Sequence, residues 1–372
     1  MANIHFSLAG EGRGHAARAR TLVDELSKRH TVTLHTFGDA YSFLSPLYAG
    51  SDVAVEELPG LRFRYDRRGR VDYVRSGLAN APALARIART SQRLADRLRS
   101  ERADLVLNDF EPALPRAARR AGVPVLGIDH QSVLAHADLG ALPAHLRRHA
   151  AFLGFFVKRW TPRADLRVAS SFYRPGRKAG SEYVRFVGVL LREAVRRATV
   201  TVEDHLVAYV RSGTPDSALD VLARSPIEVR VYGRGWFPPR GALVPREVSE
   251  DGFLADLASC TAVVTTAGNQ LVGEAIHLDK PVLGLPEPGN REQEINAWFL
   301  QASGAGRALD FDRLDDAALR GFLDEVPTLR VACRGTDVDG TRPTLDLIDS
   351  ALAGGLSPAP AGGFGVRRPR QA

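Results

Sequence analysis

The sequence predicts an α/β chain built as two doubly wound parallel-sheet domains. Three observations predict this class. Short apolar runs alternate with amphipathic stretches along most of the chain, the rhythm that places helices on both faces of a parallel sheet. Glycine (34) and proline (22) are plentiful, as a fold with many tight strand–helix turns requires. At 372 residues the chain is also too long for one ordinary core and suits two.

Taken in order, Asn3–Leu8 reads as an apolar strand followed by the glycine loop AGEGRGH (9–15). A helix over about Ala16–Arg29 has Leu22, Val23 and Leu26 on one face, and HTVTLHTF (30–37) alternates as a second strand. Residues 59–80 are irregular and Arg-rich. Residues 83–102 form an amphipathic helix with Leu84, Ile87, Leu94 and Leu98 as its apolar stripe. Arg86, Arg89, Arg93 and Arg97 form a second stripe, read as a solvated face. Asp104–Leu107 is a strand, NDFEP a turn, a helix runs to about Ala121, and Val123–Ile128 is the next strand.

FVGVLLREAV closes a first domain, and LVAYV (206–210) opens a second series. There follow a helix near 215–224, the strand IEVRVYG, a helix near 252–258, the strand AVVTT, a helix from Asn269 or Gln270, the strand PVLGLP and a helix over about 292–303. The domain boundaries read as 1–190, a linker at 191–202, 203–352, and a Pro/Gly-rich flexible tail at 353–372. No short-period internal repeat is present.

Composition excludes several classes. Cys260 and Cys333 are the only cysteines, too few for a disulfide framework or a Cys-based zinc site. The expected compartment is reducing and cytoplasmic, because the N-terminus lacks a signal pattern and no apolar run reaches spanning length. Residues 1–200 carry 33 Lys/Arg against 19 Asp/Glu, while the remainder carries 17 against 24. The first half should therefore attract anions: phosphate-bearing substrates or anionic lipid surfaces. Nucleic acid is not expected as a partner, since no zinc finger, RNP pattern or helix-turn-helix accompanies the charge.

The chemistry should sit at strand carboxyl ends, where following helices begin and their free N–H groups favour phosphate. In TTAGNQLVGEAIHLDKPVLGLP (265–286), Gly268 lets a diphosphate approach, and Asn269, Gln270 and Leu271 open a helix. Glu274, about one turn on, would repel phosphate but can accept hydrogen bonds from ribose hydroxyls. A structural glycine turn with Glu274 in solvent fits the same residues. In PEPGNREQEIN (286–296), Glu292, Gln293 and Asn296 start the next helix, placed either to bind a sugar's hydroxyls or to cap that helix.

These residues resemble a family. T-x-x-G-x-x-x-x-x-E-A-x-x-x-x-K-P-V-L followed by E-Q-x-x-N-A resembles the donor-site signature of GT-B glycosyltransferases, nearest the MurG-like and UDP-glycosyltransferase-like groups. AGEGRGHAARA, NDFEP and GIDHQS are similar to a bacterial and archaeal branch of that superfamily. The resemblance, over residues 2–305, implies two Rossmann-like domains facing each other across a cleft. The second would hold a UDP-sugar as co-substrate, and the first the acceptor. It implies Gly268–Leu271 at the diphosphate, Glu274 at ribose, and Glu292, Gln293 and Asn296 at the donor sugar. Asp251–Leu254 would lie beside the base with backbone contacts near Phe253, and Ser212 and Gly213 would approach phosphate, though the family's doubled glycine is absent.

GEGRGH has the spacing G-x-G-x-G, which does not match a dinucleotide site. Under the resemblance Gly10, Gly12 and Gly14 open the wall beside the acceptor. His15 follows, where a helix begins, as similar enzymes use a histidine in this loop as base. A histidine base is best held by a carboxylate, here Asp109 or alternatively Glu111; direct action of Asp109 or Glu111 as the base is the alternative. His130 and Gln131 end another strand and line the acceptor side or serve structurally. The helix LRRHAAFLGFFVKRW (146–160) suits either membrane-interface docking or a buried cover over the acceptor, and the buried cover is the preferred reading.

The expected function is metal-independent, inverting transfer of a sugar from a UDP-sugar to a hydroxyl of a small-molecule or lipid-linked acceptor, with no cofactor and His15 as base. The alternatives are a nucleotide-sugar epimerase of the same fold, such as a UDP-N-acetylglucosamine 2-epimerase, and a non-catalytic binder of sugar nucleotides or polyanions.

Overall fold

A computed structural model describes residues 1–11, 13–60, 73–160, 164–211, 213–247 and 249–355, with the side chains of 13 and 73–85 left aside. The irregular 59–80 stretch and the tail expected at 353–372 thus lie largely outside the described residues. The chain divides into two units. The first comprises Met1–Ala141 and Arg147–Leu190 and resumes at Gly340; the second comprises Leu142–Leu146 and Leu191–Asp339.

The first unit runs β1 (Asn3–Leu8), α1 (Arg13–Leu26), β2 (Thr31–Thr36), α2 (Gly38–Leu47), β3 (Ala54–Glu57), α3 (Tyr73–Ser100), β4 (Leu105–Asp109), α4 (Ala113–Ala121), β5 (Val125–Asp129), α5 (Ser132–His136), α6 (Ala144–Trp160), β6 (Leu166–Ser170) and β7 (Val184–Val187). Its seven strands form one sheet in the order β3-β2-β1-β4-β5-β6-β7, parallel throughout. The central strands read as near-continuous apolar runs because helices cover both faces. On one face Ile4, Phe6 and Leu8 pack with Leu22, Val23 and Leu26 of α1; on the other Val106 and Val125 pack with Leu94, Leu98 and Leu114. Arg86, Arg89 and Arg93 face solvent as expected, whereas Arg97 pairs with Glu101 at 2.6 Å and also with Glu56.

The sheet also buries two histidines. His5 and His35, on adjacent strands, stack with ring nitrogens 2.9 Å apart, and His5 Nε2 lies 3.1 Å from Glu101. Burial, with the positive neighbours His5 and Arg97, pushes His35 down to about 3.

The second unit runs α7 (Glu193–Arg196), β8 (His205–Tyr209), α8 (Asp216–Ala223), β9 (Glu228–Tyr232), β10 (Leu243–Pro245), α9 (Glu250–Ser259), β11 (Ala262–Thr265), α10 (Asn269–His277), β12 (Val282–Gly284), α11 (Arg291–Ser303), β13 (Gly306–Ala308) and α12 (Asp316–Arg334). Six parallel strands lie in the order β10-β9-β8-β11-β12-β13. Leu206, Val229, Val264 and Leu283 pack with Leu219 and Leu222 of α8 and with Leu319, Phe322 and Val326 of α12.

One boundary differs from the sequence reading. The last helix, α13 (Thr341–Leu352), sits in the first unit's core, not the second's. Leu345, Ile348 and Ala351 are buried among Leu22, Leu26 and Val32. Gly340 starts this return: its N–H donates to the Val189 carbonyl at 2.8 Å, and a Cβ there would stand 2.2 Å from the Gly188 carbonyl oxygen.

Candidate active site

Both sheets reverse their winding direction once, between β1 and β4 in the first and between β8 and β11 in the second. Loops leaving the strands on either side of such a reversal diverge, and their carboxyl ends open a crevice suited to ligands. Of the sequence-predicted residues, Gly10, Gly14, His15, Asp109 and Glu111 lie at or after the ends of β1 and β4, and Gly213, Gly268 and Glu274 after β8 and β11; His130 and Gln131 follow β5, Phe253 lies on α9, and Glu292, Gln293 and Asn296 lie on α11.

In the first unit the loop after β1 closes onto β4. Ala9 N–H donates to the Asp109 carbonyl at 2.9 Å, and a Cβ on Gly10 would stand 2.1 Å from the Phe37 carbonyl oxygen, so the loop passes there only as glycine. Gly12 lies outside the described residues. Gly14 needs no such allowance, since a Cβ there would meet nothing within 4 Å. His15, in the first turn of α1, brings Nδ1 to 2.9 Å from Oδ1 of Asp109 at the end of β4. The expected histidine–carboxylate pair therefore forms. Asp109 is fully buried and its carboxyl is held below the usual carboxylate range: burial alone would raise it, but Arg18 and His15 together outweigh that. Arg18, one turn along α1, is the residue the sequence reading missed. Its Nε donates to Oδ2 at 3.0 Å and its Nη2 to Oδ1 at 3.1 Å.

Glu111 is placed differently from the sequence reading. It is buried and caps α4, Oε1 accepting from Ala113 N–H at 2.6 Å and Oε2 from Leu114 N–H at 2.8 Å. A carboxylate occupied in this way is a helix cap and not a second base. Between it and Asp109, Phe110 adopts φ 59, and Trp160 Nε1 donates to its carbonyl at 3.0 Å. His130, at the end of β5, is buried with Nδ1 3.0 Å from the Ser170 carbonyl and its ring edge-on to Tyr173; Gln131 follows it, half-buried.

In the second unit Ser212 lies outside the described residues, and Gly213 is exposed in the turn after β8. After β11 the turn is tighter than the sequence suggested, and its left-handed residue is Ala267 (φ 59), not Gly268 (φ −67, ψ 131). Gly268 has a conformation open to any residue, and a Cβ there would meet nothing within 4 Å. The fold itself thus has no need of glycine at 268. Gly268 starts α10 without a side-chain cap, leaving the first N–H groups, at Asn269, Gln270 and Leu271, to partners outside the helix ladder.

Glu274 is buried and not in solvent. Gln270 Nε2 donates to its Oε1 at 3.0 Å, and Arg192 approaches Oε2 at 3.9 Å. Burial raises its carboxyl above the ordinary value, against the pull of Arg192 and Gln270. Asn296 and Gln293 hold neighbouring loops. Asn296 Nδ2 donates to the Ala267 carbonyl at 3.1 Å, pinning the left-handed turn. Gln293 brackets Glu287, accepting from its N–H at 2.7 Å and donating to its Oε2 at 3.1 Å. Glu292 stays half-buried on the first turn of α11.

Phe253 packs edge-on against Tyr209 and Tyr232, which end β8 and β9. Tyr232 is fixed in turn by Asp256, a buried carboxylate that accepts from Tyr232 Oη at 2.5 Å, Arg230 at 2.6 Å and Arg246 at 3.0 Å. Asp251 and Leu254, on the other side of α9, line an open hollow of about 540 Å³.

Helix α6 is not the buried cover that was preferred. Leu146, Ala150 and Val157 pack inward, but Phe152, Phe155 and Phe156 are 54%, 49% and 52% exposed. Phe156 meets both Phe152 and Phe155 edge-on, with Arg159 3.6 Å above the Phe155 ring.

Two parallel-sheet α/β units with this strand order define the class: a GT-B fold of the glycosyltransferase type. It is shared with a UDP complex of LpCGTa (18% identity, TM-score 0.65, 94% of this chain and 99% of that one) and with Acinetobacter baumannii MurG (15%, 0.62, 94% and 100%). The family profile for glycosyl transferase family 1 matches residues 2–327, and the chain belongs to that family. An uncharacterized glycosyltransferase of Methanosarcina mazei is 23% identical over 334 residues, covering 82% of this chain and 85% of that protein. Another alignment, with a protein of the same description and organism, is 24% identical over 132 residues and spans 32% of this chain and only 34% of the relative's length. No helix among the described residues is long and apolar enough to cross a membrane.

Proposed function

We propose that the chain transfers a sugar from a UDP-sugar to a hydroxyl of an acceptor, with inversion and without a metal. The observation that carries this reading is the contact of His15 Nδ1 with the buried Asp109 carboxylate at 2.9 Å. With Nδ1–H donated to Asp109, Nε2 takes the acceptor's hydroxyl proton as its oxygen attacks the anomeric carbon. The bond from that carbon to the β-phosphate oxygen breaks, and UDP departs with the electron pair. The position of the α10 N-terminus, at the carboxyl end of β11, supports diphosphate binding there, where helix-end N–H groups stabilise the leaving charge without a metal. Gly268, which the fold does not require, supports close approach of that group. The UDP in the LpCGTa complex supports uridine as the donor's nucleoside. Glu274 receives the ribose hydroxyls with Gln270 as its partner, and Glu292 the donor sugar.

The acceptor is a small or lipid-linked hydroxyl compound. The exposed phenylalanines of α6, set among Arg147, Arg148, Lys158 and Arg159, support a peripheral contact with an anionic lipid surface.

The test is UDP release from a panel of UDP-sugars with and without hydroxyl acceptors. Acceptor-dependent UDP is expected, with His15→Ala lowering kcat by about 10²–10⁴-fold. An altered sugar still joined to UDP would establish epimerisation instead. Binding without turnover, unchanged in His15→Ala, would establish a binding protein.

A further inference from the structure

Three side chains meet at the end of β4, and general-base chemistry uses only two of them. Arg18 lies one helical turn after His15, so both leave α1 on the same face. It reaches both oxygens of Asp109: Nε donates to Oδ2 at 3.0 Å, and Nη2 lies 2.9 Å from Oδ2 and 3.1 Å from Oδ1, contacts that fix a carboxylate's plane as well as its position. Arg18 and Asp109 are 5% and 1% exposed, so water does little to screen them.

The same Nη2 lies 3.0 Å from His15 Nδ1, while Asp109 Oδ1 lies 2.9 Å from that nitrogen on the other side. Nδ1 therefore faces a donor and an acceptor at once and can satisfy only one. The ionised carboxylate decides between them: a bare Nδ1 would set its lone pair against a charged oxygen, whereas an Nδ1–H donates to it. Arg18 keeps its contacts with Asp109 through Nε and Nη2. Among the described residues, Arg18 from its own helix and Asp109 from β4 are charged side chains in contact with Nδ1, and they act on the ring with opposite sign at similar range.

We propose that Arg18 is a positioning residue for His15: it clamps both oxygens of Asp109, so fixing the tautomer that leaves Nε2 bare, and it offsets the carboxylate's charge at the ring. The inference rests on His15 being the base. In the reaction Nε2 accepts the acceptor's proton, Asp109 balances the imidazolium, and the neighbouring guanidinium favours that proton's later release to water.

The experiment is histidine-selective NMR of the full chain without substrate, the His15 signals being assigned with His15→Asn. In the wild type the neutral ring carries its hydrogen on Nδ1. In Arg18→Met the ring binds its proton about tenfold more tightly, and in Asp109→Asn about tenfold more weakly. Arg18→Lys, which keeps the charge, restores the affinity to near wild type. Should Arg18→Met not fold, Arg18→Met/Asp109→Asn removes both buried charges and is compared with Asp109→Asn alone; tighter proton binding in the double variant is expected. A wild-type ring protonated on Nε2, or proton affinities in wild type and Arg18→Met within twofold, overturns the proposal. No sugar nucleotide enters this measurement, so its outcome is separate from that of the turnover assay.

Discussion

Asn296→Ala tests whether the loop after β11 is held from within. Asn296 lies on the buried face of α11, and its amide reaches the carbonyl of Ala267 at 3.1 Å. Ala267 has φ 59, where an L residue costs about 1–2 kcal/mol, so the turn needs a partner that holds it. Truncation removes this buried hydrogen bond, at a cost of about 1–3 kcal/mol. A loss of about 2 kcal/mol in a unit of this size lowers its melting temperature by roughly 4–8 °C. Calorimetry of the full chain reads this in the second unit's transition, and isothermal titration with UDP reads the binding loop. Lower melting accompanied by weaker UDP binding is expected. If Asn296→Ala melts like the wild type while UDP-sugar affinity falls, the amide serves the ligand directly and the structural reasoning is wrong.

His35 sits near 3 in the fold against 6.5 in the open chain, so between those values the unfolded chain binds a proton that the folded one does not. Stability should fall as pH drops from 6.5 towards about 3, and His5→Leu/His35→Leu should flatten urea midpoints across that window; an unchanged slope would reject the assignment. Ile348→Ala in α13 should destabilise the first unit by about 2–5 kcal/mol and leave the second unit's transition in place. Glu111→Ala removes the cap of α4 and should cost about 1–2 kcal/mol, with Glu111→Gln recovering part of it. Phe152→Ser/Phe155→Ser/Phe156→Ser should abolish sedimentation with phosphatidylglycerol vesicles; the same binding in the triple variant would remove α6 from that role.

The class of fold was legible because strands buried on both faces read as apolar runs, as NIHFSL and HLVAY do. Elements that break that pattern were missed. Helix α2 (GDAYSFLSPL) carries a proline in its last turn, and β3 (AVEE) is half-exposed at the sheet edge. Helix α12 runs through Pro327, and β13 is three residues long. The pairing of His15 with Asp109 was readable because both lie at the carboxyl ends of β1 and β4. Arg18 was not, because one arginine among many in a basic half reads as solvated until a buried carboxylate is seen beside it. Glu111 offered a usable signal: an acid directly before a proline-initiated helix is a cap. For Gln293 and Asn296, residue type fits sugar hydroxyls and loop partners equally well, and the contacts with Glu287 and with the Ala267 carbonyl could not be read from the sequence.

The chain leaves the first unit after Leu190, builds the second, and comes back at Gly340 to finish what it began. That makes the first unit discontinuous. A fragment ending at residue 190 would expose the slot that Leu345, Ile348 and Ala351 fill, along the flank of α1 that carries Leu22 and Leu26. During synthesis the opening half therefore stays open on one side until the ribosome has built the second unit and α13 after it, and a stop codon just short of α13 would be felt as far back as α1.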